Sequence, residues 1–227
     1  MPGAGFCNTV VGMLPQNLAP AEVRVLGALI EKELSTPDNY PLSLHSLTAA
    51  CNQSSNRDPV TAYDSDTVMA LVTTLRRQDL IRSFQGSGER VPKYLHLLAE
   101  RDEITREELA VLCVLMLRGP QTLSEVRTRA SRLLPGDDAD AIESALNALI
   151  AREPSAVTRL ARRPGQKETR FAHLLAGEVM YEVDDAPSAP TAPSIDRISA
   201  LEQLVQELQT DVTDLRAQLD TFRKQFE

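Results

Sequence analysis

The feature that most constrains this chain is an order of elements that occurs twice. Residues 20–97 predict three helices, an extended run, a turn and a second extended run, and residues 105–174 repeat that order. In the first copy, Val23, Leu26, Ile30 and Leu34 recur at the 3.6-residue spacing of one helix face. Pro20 suits a first helical position, Ala19 before it is a weak cap, and Thr36-Pro37 stops the helix. Ser43 is placed to cap a short helix bearing Leu44, Leu47 and Cys51. Ser65 is placed to cap a third bearing Val68, Leu71, Val72 and Leu75. Extended runs at 81–85 and 91–97 flank Gly86-Ser87-Gly88, and Pro92 predicts that the second run lies at a sheet edge.

In the second copy, Thr105-x-x-Glu108 and Thr122-x-x-Glu125 are capping boxes that open two helices. The first carries Leu109, Leu112, Cys113 and Met116 and is closed by Gly119-Pro120; the second carries Leu123, Val126, Ala130 and Leu133. A third helix bears Ile142, Leu146, Leu149 and Ile150. Extended runs at 157–161 and 169–174 then flank Pro164-Gly165, a pairing that favours a type II turn.

Three helices followed by a hairpin is the order of a winged helix, the helix-turn-helix variant with a β-hairpin wing. A different three-helix fold with an incidental hairpin has the same order, but needs the coincidence twice. The predicted class is therefore mainly α with small β-hairpins: tandem winged-helix domains plus a C-terminal coiled-coil helix. The boundaries expected are a flexible leader over 1–19, domains over 20–99 and 100–178, a Pro/Ala-rich linker over 179–195 and a coiled coil over 196–227.

Composition agrees with packed helices. There is no Trp and aromatics make up 4% of the chain, so the core must be built from Leu, Val, Ile and Ala. The net charge of −8 is uneven: each repeat is near neutral and residues 179–227 hold most of the acidity. Cys7, Cys51 and Cys113 are odd in number and lack a CxxC spacing, which predicts neither disulfides nor zinc. The first residues lack the basic stretch of a signal peptide, and a cytoplasmic protein with no membrane span is expected.

The C-terminal helix has a heptad pattern. Ile198, Val205, Val212 and Leu219 fall at a, and Leu201, Leu208, Leu215 and Phe222 at d. Val and Ile at a with Leu at d favour a parallel two-stranded coil, and so a homodimer. A lone amphipathic helix folded back on the domains uses the same stripe.

Four stretches resemble the YceH family of bacterial proteins: residues 40–43 (YPLS), 50–57 (ACNQSSNR), 117–122 (LRGPQT) and 159–168 (RLARRPGQKE). The resemblance runs from Leu18 to the coiled coil; Ala19 departs from it, where a Thr cap is usual. It implies tandem winged helices and a bacterial cytoplasm. It implies no particular activity, so function rests on the residues.

A winged helix suggests DNA by analogy alone. The third helices, which normally enter the major groove, begin with Asp64 and Asp66 in one repeat and Asp137, Asp138 and Asp140 in the other. Those carboxylates suit a helix N-terminus and repel phosphates. The cations lie elsewhere: Arg159, Arg162, Arg163, Lys167 and Arg170 on the second hairpin, and Arg127, Arg129 and Arg132 on the helix opened by Thr122. Such a wing fits a phosphate backbone; a solvated hairpin whose arginines pair with the acidic third helix or with a protein partner fits the sequence equally well. Asn52, Gln53, Asn56 and Arg57, in the loop over 52–63, are a second candidate, unless they satisfy the loop's own backbone. His45, His96 and His173 are widely spaced, and no catalytic grouping, metal set or cofactor motif stands out. The expectation is a non-enzymatic binding protein with DNA or another protein as partner.

Overall fold

The computed structural model describes residues 14–86, 91–134, 136, 139–162 and 168–178. The first repeat comprises α1 (Pro20–Ser35), a 3-10 turn (Pro37–Asn39), β1 (Leu42–Ser43), α2 (Leu44–Cys51), α3 (Ser65–Arg77), β2 (Ile81–Phe84) and β3 (Lys93–His96). After a short connecting helix α4 (Leu98–Asp102), the second comprises α5 (Arg106–Arg118), β4 (Gln121–Thr122), α6 (Leu123–Ala130), α7 (Ala139–Ala151), β5 (Val157–Arg159) and β6 (Arg170–His173). The described chain is thus mainly helical, with two small antiparallel sheets ordered β1-β3-β2 and β4-β6-β5.

Each sheet has one strand more than the expected hairpin. The two residues before the second helix of each repeat pair with the returning strand, Leu42 opposite Tyr94 and Gln121 opposite Phe171. Two residues are too few to show a period of two, so sequence patterning is blind to them. The extra pairing overturns the expectation from Pro92. The strand β3 is the centre of its sheet, and Pro92 is tolerated because it falls one residue before the first paired position.

The caps follow local chemistry. Ser43 Oγ accepts the Ser46 N–H at 3.2 Å, and the boxes at Thr105 and Thr122 close in both directions. At α3 the cap is Asp64, whose carboxylate accepts the Thr67 N–H at 2.7 Å; Ser65 is the first helical residue, a correction of one position. Both residue types cap well, and a charged acceptor makes the stronger bond. Ala19 supplies no side-chain cap, and α1 keeps half of the box, with Glu22 accepting the Ala19 N–H at 2.8 Å.

Both repeats lie in one compact body. Its centre is α1 packed on α5. Every residue of α5 from Leu109 to Leu117 is buried, because α5 faces α1 on one side and α6 and α7 on the other. The helices approach closely at Gly27, where an added Cβ would lie 2.9 Å from Leu117 Cδ2 and 3.3 Å from Met116 Cβ. The Gly27 carbonyl also accepts the Cys113 thiol at 3.6 Å. The last residues of the expected leader are part of this core: Leu14 and Leu18 are buried, and the Leu18 N–H donates to Leu175 O at 2.8 Å. Several expectations lie outside the described residues, among them the heptads over 196–227, the linker, Asp137, Asp138, Arg163, Lys167 and the turn at Pro164-Gly165.

Candidate functional site

The strand β6 sits between β4 and β5, and this places the second hairpin beside α6. Between hairpin and helix lies an open cleft of about 550 Å³. Ser124 and Thr128 of α6 line one wall, and Arg159, Arg162 and Thr169 line the other. The Arg159 guanidinium is 5.4 Å from the centroid of the Phe171 ring, a cation–π arrangement that holds an exposed side chain in one direction. The exposed Arg162 donates from Nε to Thr169 Oγ1 at 3.3 Å. Neither of these contacts neutralises charge; both cations are exposed at the cleft, which the exposed Glu168 also lines.

Of the other described cations of this region, Arg170, Arg127 and Arg129 are engaged. Arg170 donates to the Pro120 carbonyl at 2.9 Å and lies 3.5 Å from Glu125. Arg127 reaches across to α7, where it bonds Glu143 and lies 3.6 Å from Asp140. The partner of the acidic third helix is thus an arginine of α6, and none of the described hairpin arginines is paired with α7. Arg129 lies 3.5 Å from Glu125, one helical turn back, and Arg132 is exposed. Glu125 is tugged both ways: burial pushes its carboxyl up, but the Thr122 N–H, Arg129 and Arg170 outweigh that and hold it below the usual range.

The four polar side chains of the loop over 52–63 are partnered partly within the loop and partly by α1 and α5. The side-chain amide of Asn52 donates to Tyr63 O at 2.7 Å, and its oxygen accepts the Tyr63 N–H at 2.8 Å. Gln53 Oε1 accepts from Arg57 at 3.0 Å and from Lys32 at 3.3 Å. Arg57 is buried, binds both Glu31 oxygens at 3.0 and 2.7 Å, and donates to Ala50 O from Nε and Nη2. Asn56 alone of the four turns outward, in the left-handed region with φ 60°, and its side-chain oxygen accepts from Arg118.

Two arginines that sequence reasoning did not single out have structural weight. Arg118, in the last turn of α5, meets the loop through Asn56. Arg152 ties the end of α7 to the start of α5, donating to Asp102 O at 3.1 Å, Glu103 O at 3.2 Å and Glu108 Oε2 at 2.9 Å. A basic residue near a helix end is ordinary macrodipole chemistry, so neither position stood out in the sequence. Among the described residues there is no group of three or more His, Cys, Asp and Glu placed to hold a metal ion, and no helix long and apolar enough to cross a membrane.

Residues 18–166 match the model of a family described as "Protein of unknown function, DUF480". The chain is 55% identical over 161 residues to the UPF0502 protein of Geobacter sulfurreducens, covering 71% of this chain and 73% of that one. It is 47% identical over 212 residues to the UPF0502 protein of Pelobacter propionicus, covering 91% and 96%. A similar protein of Aliivibrio fischeri is 45% identical over 211 residues, covering 89% and 93%. The chain belongs to this family. Its UPF0502 relatives are the YceH-like proteins that the four sequence stretches resemble. The matched span contains the loop, the end of α5, all of α6 and the first strand of the cationic hairpin.

Proposed function

We propose that this protein is a non-enzymatic winged-helix binding protein of the bacterial cytoplasm that contacts a nucleic-acid backbone through its second wing. The observation that carries the reading is the position of Arg159 and Arg162. Both are exposed at an open cleft, and both are held by contacts that leave their charge unneutralised. Guanidiniums so placed suit phosphate oxygens, which fix position without reading sequence. The exposed face of α7 fits this limited role, since beside Ser144 and Ala151 it offers a single amide, Asn147, and Asp140 and Glu143 are acidic. The heptads over 198–222 support a homodimer, which would present two wings to one duplex. Gel shifts on duplex DNA test the reading. The wild-type chain should retard the duplex at low salt, and Arg159→Glu with Arg162→Glu should abolish the shift. No retardation at low salt would refute it.

One observation favours a second reading, a protein-interaction scaffold. Phe84 and Val91, beside the first hairpin's turn, are 51% and 53% exposed. Exposed apolar side chains on a hairpin suit a protein surface better than phosphates. Pull-down from a bacterial lysate separates the two: partners that persist after nuclease treatment and vanish with Phe84→Ser support the scaffold.

A further inference from the structure

The face of α6 turned away from the wing cleft holds a second set of cations. Arg118 from the end of α5, Arg129 from α6 and Arg132 just beyond it surround a small groove floored by Val114 and Leu117. The turn at Asn56 closes one side. Two regions far apart in sequence, the loop and the segment from the end of α5 through α6, meet here.

The charge in this groove is incompletely matched. Its carboxylate, Glu31, is bound through both oxygens by the buried Arg57, with Lys32 3.5 Å away. Glu125 lies 3.5 Å from Arg129 and is shared with Arg170 at the same distance. Arg118 bonds a neutral amide oxygen on Asn56, which uses one of its five donors. Arg132 is exposed and forms no ion pair among the described residues. Burial and the repulsion of Arg129 and Arg132 hold the Arg118 guanidinium below its ordinary range, against the opposing pull of Glu31. Like charges gathered at the mouth of a partly buried site are unfavourable until an anion joins them.

We infer that this groove, walled by Arg118, Arg129 and Arg132, is a binding site for a phosphate group. Its volume is about 90 Å³, enough for a small oxyanion. Guanidiniums arriving from three directions suit a tetrahedral dianion better than a planar carboxylate. The site is independent of the wing, because Arg127 and Arg129 point to opposite faces of α6 and line different openings.

Thermal unfolding of the full chain, with inorganic phosphate titrated against chloride at equal ionic strength, tests this. Phosphate should raise the midpoint by a few degrees in a saturable way. Arg132→Gln, an exposed position that leaves the fold intact, should remove most of that rise, and Arg118→Gln with Arg132→Gln all of it. Arg162→Glu should leave it unchanged. A rise no greater than chloride gives, or one that survives the double variant, overturns the inference. A rise lost in Arg162→Glu also overturns it, because the wing would then be the phosphate site. Duplex DNA in place of phosphate separates the sources: a shift with both, each sensitive to Arg132→Gln, places a backbone phosphate in the groove. A shift with inorganic phosphate alone assigns the groove to a free phosphate compound. That result keeps the inference even where the wing reading fails.

Discussion

Arg57 is wholly buried, and its guanidinium is bound by Glu31, Ala50 O and Gln53. A buried ion pair adds little over a well-packed apolar pair, but removing one partner strands the other. Arg57→Ala should therefore lower stability by about 3–5 kcal/mol in urea unfolding. Arg57→Lys should recover little, because an ammonium cannot serve both Glu31 oxygens and two further acceptors from one position. Asp102 poses the opposite case. Its carboxyl is buried with no hydrogen-bond partner, and burial pushes its pKa up to about 6, against the weaker pull of Arg101 and Arg152. A raised carboxyl favours the folded state when protonated, so its contribution is fully present below the unfolded value of 3.8 and lost as pH rises to about 6. Asp102→Asn should match the wild type near pH 4 and exceed it in stability above pH 6, as denaturant midpoints across that range will show. At this scale the sequence was legible where a residue's partner is near in the chain. Ser43, Thr105 and Thr122 cap as expected. The ion-pair partner of Arg57 and the partners of Arg118 and Arg152 lie 26, 62 and up to 50 positions away, and no local pattern marks them.

Among the elements, α5 explains how an apolar run beyond a stripe arises. Its sequence is apolar at every position from Leu109 to Leu117, and the structure buries every side, because the helix belongs to its own repeat and also forms the seam with α1. The seam depends on Gly27. Helix propensity alone would favour Ala there by about 1 kcal/mol, but the added Cβ meets Leu117 and Met116 at less than ordinary contact distance. Gly27→Val, which adds more volume, should destabilise the chain by about 1–3 kcal/mol or more, read as a lower thermal midpoint. Helix order and sheet location were legible because amphipathic spacing and caps are written locally. The strands β1 and β4 were not, since two residues carry no period and gain their pairing only once β3 and β6 return to them. Pro92 misled for a related reason: its restriction applies to the residue it occupies, and the paired strand begins one residue later.

Across the whole molecule, two copies of one element order share a centre and differ at their edges. The first hairpin exposes the apolar Phe84 and Val91, and the second carries the outward cations Arg159 and Arg162. Composition foretold a Leu- and Val-rich helical body, and the near-neutral charge of each repeat concealed where the cations gather. The five hairpin cations looked equivalent in sequence; of the three described, Arg170 is drawn into the fold by Pro120 O and Glu125. The proposed contact of the second wing with a phosphate backbone rests on the two cations that remain outward. The most direct test is the salt dependence of duplex binding by the full chain. Each neutralised phosphate contributes about 0.9 to the slope of log affinity against log salt. The wild type should show a steep negative slope, reduced by about 2 in Arg159→Gln with Arg162→Gln. A slope that those two substitutions leave unchanged would contradict the claim.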